Sequence, residues 1–272
     1  MPTATINNAR LWYDQLGQGE PLLLHHGYTA SRVNWLPVAQ QLKQHYQIIL
    51  MECRGTGESE DTADGYNLEQ YARDVLGLMD HLKINKFSYA GHSMGGGIGF
   101  VLGAHHSDRL NRLILMAPIP SKGTGMMSAA MLEARLKHRR ENDRAAIRQN
   151  YLDTRFRPEV ETDAWIESRV DHIMRVSEGH LIDGAKAMAD INLTEKLSAI
   201  TIPTLMLAGS VDGLLTANLA DFKRLPNAAL QVFSRAGHEV AIHEPEGVSD
   251  AIHSFMQYGA LSAKDLYQRR TL

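Results

Sequence analysis

A single serine stands among five glycines in residues 89–100, YAGHSMGGGIGF. Within this segment, residues 91–95 (GHSMG) have the form G-x-S-x-G. A sharp turn from a strand into a helix brings backbone atoms close together, so glycine is favoured on both sides of the serine. Such a turn also lifts the serine hydroxyl clear of the sheet. Because an apolar run precedes the motif and a helical run follows it, the pattern predicts an exposed nucleophile at Ser93.

A serine hydroxyl is a weak nucleophile unless a base takes its proton and an acid orients that base. Among the 13 histidines of the chain, His238 is the candidate base. It follows the last predicted strand, in a loop that returns to the edge of the sheet where Ser93 is expected. His243, near the start of the final predicted helix, is the alternative base.

Asp212 is the candidate acid, because it lies in the loop after the predicted strand at residues 203–209. The preceding strand ends in MAPIP, which contains no carboxylate. The order Ser93, Asp212, His238 along the chain is one of the known orders of a Ser-His-Asp triad. We therefore expect these three side chains to act together.

Attack of a serine on a carbonyl group creates an oxyanion, which needs two fixed N–H donors. The main-chain N–H of Met94, at the start of the predicted helix, is one candidate. Tyr28, in the loop HGYTAS that follows the run LLLHH, is the other, and Gly27 permits the tight turn before it. His26 is interpreted as a buried histidine that braces this loop.

Short apolar runs that end in turn residues predict the strands that must position these groups. They occupy residues 21–27, 47–53, 87–91, 112–117, 203–209 and 229–234, with a further strand and a glycine turn near the N-terminus. Runs of this kind are typical of strands buried on both faces of a parallel sheet, and helical patterns alternate with them. The sequence thus predicts an α/β fold with a doubly wound, mostly parallel sheet.

The alternation breaks once, over residues 119–193, where the patterns are helical only. We interpret this interval as a helical cap inserted into a core formed by residues 1–118 and 194–272. Met127, Met131 and Trp165 are candidate pocket residues in the cap, since flexible thioethers suit an adaptable apolar wall. Ordinary packing between cap helices is the alternative role. Arginines at positions 135, 139, 140, 144 and 148 are interpreted as a solvated face, with contact to an acidic substrate group left open.

Composition excludes several other classes of protein. The chain of 272 residues is 44% apolar, enough for one substantial core, and its formal net charge of −3 gives no indication of nucleic-acid binding. Cys53 is the only cysteine, so an internal disulfide is impossible, and no His, Asp or Glu group has metal-ligand spacing. We expect no cofactor, no metal and no membrane partner. The N-terminal sequence lacks a signal-peptide pattern, so a cytoplasmic location is expected. The oligomeric state is left open.

Together, these motifs resemble the successive landmarks of the α/β-hydrolase fold superfamily, in particular its cap-bearing esterase, lactonase and haloperoxidase-like branch. The matching segments are residues 26–28 (HGY), 54–59 (RGTGES), 91–95 (GHSMG), 209–212 (GSVD) and 237–238 (GH). The resemblance implies Ser93 as nucleophile, His238 as base, Asp212 as acid, and the N–H groups of Tyr28 and Met94 as the oxyanion hole. Residues 52–53 depart from the family pattern, in a segment that is structural in the family.

The function this implies is hydrolysis of a carboxylic ester or lactone, a small molecule, through an acyl-serine. Haloalkane dehalogenases and epoxide hydrolases of this fold are disfavoured, because they use a carboxylate nucleophile. A carbon–carbon bond hydrolase of aromatic catabolism shares the triad, but such relatives often have Asn before the serine and Trp after the histidine. His92 and Glu239 occupy those positions here. A non-catalytic binding protein on the same fold is the third alternative.

Overall fold

One eight-stranded sheet organises this computed structural model, which describes residues 2–125 and 129–260. The strand order is β1-β2-β4-β3-β5-β6-β7-β8. The strands are β1 (Thr3–Ile6), β2 (Ala9–Leu16), β3 (Glu20–His25), β4 (Tyr46–Met51), β5 (Phe87–His92), β6 (Leu110–Met116), β7 (Thr204–Gly209) and β8 (Ala228–Phe233). β1 and β2 pair antiparallel to their neighbours, and the six strands from β4 to β8 in the sheet pair in parallel.

Helices connect the parallel strands and cover both faces of the sheet. They are α1 (Leu36–Leu42), α2 (Leu68–His81), α3 (Met94–His105), α4 (Ala129–Arg140), α5 (Arg144–Thr154), α6 (Asp163–Arg175), α7 (Ala185–Asp190), α8 (Leu215–Phe222), α9 (Val240–His243) and α10 (Pro245–Tyr258). A π-helical turn at His180–Gly184 precedes α7. Within the described residues, every helix is too short or too polar to serve as a membrane span.

Successive side chains of the central strands pack on opposite faces of the sheet. Leu23 joins the apolar cluster that contains Val75 of α2 and Ile98 of α3. Its neighbour Leu24 joins a second cluster on the other face, with Ile252 of α10. Because both faces are covered, the strands must be apolar throughout, which is why they appear in the sequence as continuous apolar runs. The predicted α/β fold with a doubly wound, mostly parallel sheet is confirmed.

The two ends of the sheet differ from the sequence expectation. The structure adds β1, a four-residue strand that pairs with β2. Its side chains are alternately exposed and buried. β8 was expected to be buried on both faces, which is wrong: Val232 is 42% exposed and Gln231 also faces solvent. β8 is the last strand of the sheet, so it has a neighbour on one side only and less cover.

Helices α4 to α7 lie between β6 and β7 in the chain, and no strand occurs in the described part of this interval. They form two small apolar clusters of their own. Leu136, Val176 and Leu181 make one, and Ile147, Ile166 and Val170 make the other. The assignment of residues 119–193 as a separate cap stays a prediction.

Candidate active site

Ser93 occupies the single residue between the end of β5 and the start of α3. Its backbone is strained, with φ 55° and ψ −113°. A Cβ atom at Gly91 would overlap the carbonyl group of Gly95, and one at Gly95 would lie 2.7 Å from the carbonyl oxygen of His25. Both flanking glycines are therefore required by the close approach of main chain around Ser93.

The structure brings Ser93, His238 and Asp212 into one hydrogen-bonded line. Nε2 of His238 lies 2.9 Å from Oγ of Ser93, and Nδ1 of His238 lies 2.9 Å from Oδ2 of Asp212. Asp212 follows β7 and His238 follows β8, so parallel pairing brings both loops to the edge where β5 ends. With Nδ1–H donating to the carboxylate, Nε2 is left to accept the proton of the Ser93 hydroxyl.

The pKa values of the pair favour this arrangement. Burial alone lowers the pKa of His238, but the hydrogen bond to Asp212 and its negative charge outweigh burial and raise the pKa above the ordinary value. Burial raises the pKa of Asp212, but the hydrogen bond and charge of His238 outweigh it, so the pKa is lowered. The main-chain N–H of Leu214 also donates to Asp212, at 3.0 Å. Asp212 is thus held as a carboxylate, and its charge stabilises the protonated form of His238.

The two candidate oxyanion donors lie next to Ser93. A Cβ atom at Gly27 would lie 3.0 Å from Cβ of Ser93, so the N–H of the following residue, Tyr28, belongs to the segment in contact with the serine. Met94 is the first residue of α3, where main-chain N–H groups have no acceptor within the helix. Among the described residues, neither N–H has a hydrogen-bond acceptor. Both donors are available to a ligand.

His26 braces the loop that carries Tyr28. Its Nδ1 donates to the carbonyl oxygen of Gly27 at 2.8 Å, and its Nε2 accepts from the N–H of Cys53 at 3.1 Å. Burial, and then the neighbouring His25, hold the pKa of His26 well below the ordinary value, so the ring is neutral. A neutral ring can donate through one nitrogen and accept through the other, as this position requires. The predicted bracing role is confirmed.

Glu52, which departs from the family pattern, organises the adjoining loop. Its carboxylate accepts from the N–H of Glu58 at 2.8 Å and from Nη1 of Arg32 at 2.9 Å. A Cβ atom at Gly57 would overlap this carboxylate. Glu52 therefore supports the loop at residues 54–59 and belongs to the scaffold of the site.

His243, the alternative base, has a different environment. Its side chain is 2% exposed, its Nδ1 accepts from the N–H of Gly237 at 3.0 Å, and its Nε2 lies 3.4 Å from the carboxylate of Glu161. Both ring nitrogens therefore face groups other than Ser93. His243 instead holds the main chain immediately before His238.

A polar chain beside His238 was not predicted from the sequence. Glu239 accepts a hydrogen bond from Nδ2 of Asn34, whose Oδ1 accepts from Nη1 of Arg169 at 3.2 Å. Arg169 lies on α6, so this chain connects the α4–α7 segment to the loop that carries His238. Asn34 and Arg169 are 135 positions apart, and no local pattern marks either of them. Only the folded chain brings them together.

His92, the residue before Ser93, also contacts His238. Its Nε2 donates to the carbonyl oxygen of His238 at 2.8 Å, and the two rings lie 4.9 Å apart. Burial, which Glu239 opposes, lowers the pKa of His92 to about 4. The ring is thus a neutral donor that fixes the main chain at His238.

A cavity of about 460 Å³ lies between Thr29, which follows Tyr28, and the helices α4, α5 and α6. Met131, 57% exposed, lines this cavity. Trp165 lies behind it, half-buried in the α5–α6 cluster, with its ring 6.0 Å from the ring of Tyr151, which lines the cavity. Met127 lies outside the described residues. Pocket roles for these three residues stay predictions.

Within residues 2–125 and 129–260, no three His, Cys, Asp or Glu side chains are arranged so that they could hold a metal ion. The side chains of Ser93, His238 and Asp212 are instead hydrogen-bonded to one another. These three side chains can supply proton transfer and nucleophilic attack.

Comparisons with known proteins identify the family to which this fold belongs. The family model described as alpha/beta hydrolase fold matches residues 20–245. The 3-oxoadipate enol-lactonase 2 of Acinetobacter baylyi is 26% identical over 262 residues, which cover 94% of this chain and 96% of the relative. The non-heme haloperoxidase of Rhodococcus erythropolis is 26% identical over 275 residues, covering 94% of this chain and 100% of the relative.

Solved structures show the same fold. The enol-lactonase of Burkholderia xenovorans superposes with a TM-score of 0.82 at 24% identity, and the match covers 94% of this chain and 100% of that chain. The family match spans most of the chain, from the start of β3 to the start of α10. The protein belongs to the α/β-hydrolase fold family.

Proposed function

We propose that the protein is a serine hydrolase that cleaves carboxylic esters or lactones through an acyl-serine intermediate. The observation that carries the proposal is the pair of 2.9 Å contacts that join Ser93, His238 and Asp212. In this proposal residues 119–193 form the cap over a core of residues 1–118 and 194–272.

The geometry supports the first half of the reaction as follows. Nε2 of His238 takes the proton of Ser93 while Oγ attacks the carbonyl carbon of the substrate. The N–H groups of Tyr28 and Met94 donate to the oxyanion that forms. Asp212 stabilises the charged imidazole. As the tetrahedral intermediate collapses, His238 gives its proton to the departing alkoxide, and Ser93 is left acylated.

The second half reverses these roles with water. His238 takes a proton from a water molecule, which attacks the acyl-serine, and the acid is released as Ser93 regains its proton. In a lactone the departing alkoxide stays linked to the acyl group, so the product is a single hydroxy or keto acid. The names of the enol-lactonase relatives support a lactone among the candidate substrates.

The test is hydrolysis of a panel of chromogenic esters and lactones by the protein and by Ser93→Ala. Ser93→Ala is expected to lower kcat/KM by about five to six orders of magnitude without loss of the folded circular-dichroism spectrum. Ser198→Ala, an exposed serine outside the site, is the matched control and should retain full activity. If the protein folds but hydrolyses nothing on the panel, the binding-protein alternative is favoured. If the protein cleaves only carbon–carbon bonds in compounds from aromatic catabolism, the carbon–carbon bond hydrolase alternative is favoured.

A further inference from the structure

The arginines of the α4–α7 segment fall into two groups. Most of them form an ion pair with a carboxylate: Arg139, Arg140, Arg144, Arg148, Arg155, Arg157 and Arg175. Arg135 and Arg169 are different, since neither has an ion pair with any carboxylate in the described ranges. The sequence pattern places Arg135 on a solvated face, with contact to an acidic substrate group left open. Arg135 is exposed, as expected, but within the described residues it lacks the carboxylate partner that the neighbouring arginines have.

Arg135 lies on α4 and lines the cavity next to Thr29. Its charge acts on the hydroxyl of Tyr28: burial raises the pKa of Tyr28 to about 12, and Arg135 opposes this rise. The Tyr28 hydroxyl donates to the carbonyl oxygen of Leu181 at 2.6 Å, so the tyrosine ring is fixed. Arg135 is thus located beside the residue whose N–H is a proposed oxyanion donor.

Arg169 approaches the same cavity from α6. It is 4% exposed, its guanidinium carbon lies 5.7 Å from the ring centroid of Tyr151, and Tyr151 lines the cavity. Its Nη1 bonds to Asn34, while its Nε has no hydrogen-bond partner in the described part of the chain. Glu239 lies behind Asn34 and offsets part of this charge. A second guanidinium therefore contacts one residue of the cavity wall, Tyr151, and is linked through Asn34 to Glu239.

Among the described residues, those that line the cavity include no Asp or Glu. His138 is the other basic residue of the lining, and its Nδ1 contacts Asp143, 3.2 Å away. The rest of the wall is mixed, with apolar Met131, Ile147, Ile173 and Leu181 beside polar Thr29, Asn150 and Thr154. Arg135 is itself exposed, and the cavity opens to solvent on its side. A cleft lined by positive charge focuses the electric field and attracts an anionic group.

We propose that the substrate carries a carboxylate, which the guanidinium of Arg135 binds in the cavity between Thr29 and helices α4–α6. This inference rests on the proposed function and narrows its substrate class to esters or lactones of dicarboxylic acids or similar acids. The planar guanidinium matches a carboxylate with two parallel hydrogen bonds, which a lysine ammonium cannot do.

The test compares two chromogenic esters that differ at the far end of the acyl chain. They are 4-nitrophenyl hexanoate and mono-4-nitrophenyl adipate, in which a carboxylate replaces the terminal methyl group. The measured quantity is the ratio of kcat/KM for the adipate ester to that for the hexanoate ester, after subtraction of the uncatalysed rates. Arg135→Gln is expected to lower this ratio about 10- to 100-fold, as loss of a charge-assisted hydrogen bond implies. The ratio for Arg135→Lys should lie between the ratio for Arg135→Gln and that for the unaltered protein.

Arg144→Gln is the matched control, because Arg144 is an exposed arginine of the neighbouring helix that pairs with Asp171 at 2.6 Å. Its ester ratio should equal that of the unaltered protein. An unchanged ratio in Arg135→Gln, or an equal fall in Arg144→Gln, overturns the proposal.

A binding measurement separates this proposal from the proposed function. Isothermal titration with adipate is expected to show binding to the unaltered protein that weakens about 10-fold or more in Arg135→Gln and is unchanged in Arg144→Gln. If neither ester is hydrolysed but adipate binds in this pattern, the hydrolase proposal fails and the carboxylate site stands. If esters are hydrolysed but adipate binds Arg135→Gln as well as the unaltered protein, the carboxylate site fails alone.

Discussion

Nε2 of His238 lies 2.9 Å from Oγ of Ser93, although 145 positions separate the two residues in the chain. The distance is short because both residues follow strands that run in the same direction, β8 and β5, in one sheet. The carboxyl ends of parallel strands meet at one edge, where loops from distant parts of the chain converge. The sheet therefore holds these two side chains close enough for a proton to pass between them.

Asp212→Asn should lower kcat/KM for an activated ester by about three to four orders of magnitude. An asparagine amide donates where the carboxylate accepts, so it favours the wrong tautomer of His238 and leaves no base facing Ser93. Steady-state rates, with the circular-dichroism spectrum as a check on folding, measure the effect. Asp250→Asn, an exposed carboxylate on α10, is the control and should be silent. A nearly silent Asp212→Asn would mean that another group orients His238.

The pH profile of kcat/KM should have one limb at acid pH that reports His238. Only the neutral imidazole can accept the Ser93 proton, so the rate rises as pH increases through the pKa of this histidine. Burial lowers the pKa of His238, but the hydrogen bond to Asp212 and the negative charge of Asp212 outweigh burial and raise it. The midpoint of the acid limb should therefore lie above the ordinary histidine pKa. Stopped assays of one ester across a buffer series measure it. A midpoint clearly below the ordinary value would contradict the assigned role of Asp212.

Glu239→Gln should move this limb to lower pH. The carboxylate of Glu239 helps to raise the pKa of His238, so removing its charge makes the imidazole lose its proton more easily. The glutamine oxygen can still accept from Asn34, which preserves the local structure. Glu246→Gln, an exposed position at the start of α10, should leave the limb in place. The same profile before and after Glu239→Gln would show that Glu239 has no electrostatic effect on the base.

Met131→Ala should change the order of preference among short, long and cyclic esters. Met131 lines the cavity but is 57% exposed, so removing its thioether should cost substrate binding about 1 kcal/mol or less, a several-fold change in relative kcat/KM. Turnover of a small activated ester should still be measurable. Glu133→Ala, exposed on the same helix, is the control. An unchanged order would mean that Met131 is a packing residue. Loss of turnover for every ester, in a folded protein, would mean that α4 contributes to catalysis.

The sequence predicts the parts of the molecule that depend on local pattern. Buried parallel strands leave continuous apolar runs, and the turn at Ser93 needs glycine at Gly91 and Gly95 whatever surrounds it. Asp212 and His238 follow strands, so their placement at one edge of the sheet follows from the strand pattern alone. For this reason the fold and the three residues of the hydrogen-bonded line could be predicted from the amino-acid sequence.

The remaining features depend on contacts between distant residues. The chain from Glu239 through Asn34 to Arg169 joins three separate segments, and nothing in the sequence near any of them indicates the others. The difference between Arg135 and the paired arginines is likewise invisible in the sequence, where all of them lie in polar helices. The weak cover of β8 follows from its place at the edge of the sheet, which the apolar pattern of one strand cannot show.

The most direct test of the central claim is covalent trapping of the nucleophile. The protein is incubated with a fluorophosphonate, which reacts with activated serines, and the intact mass and tryptic peptides are then measured. The account predicts one adduct per chain, located on Ser93, that forms quickly in the unaltered protein and slowly in Asp212→Asn. Ser93→Ala should form none. An adduct on another residue, or no adduct in a folded protein that hydrolyses esters, would contradict Ser93 as the nucleophile.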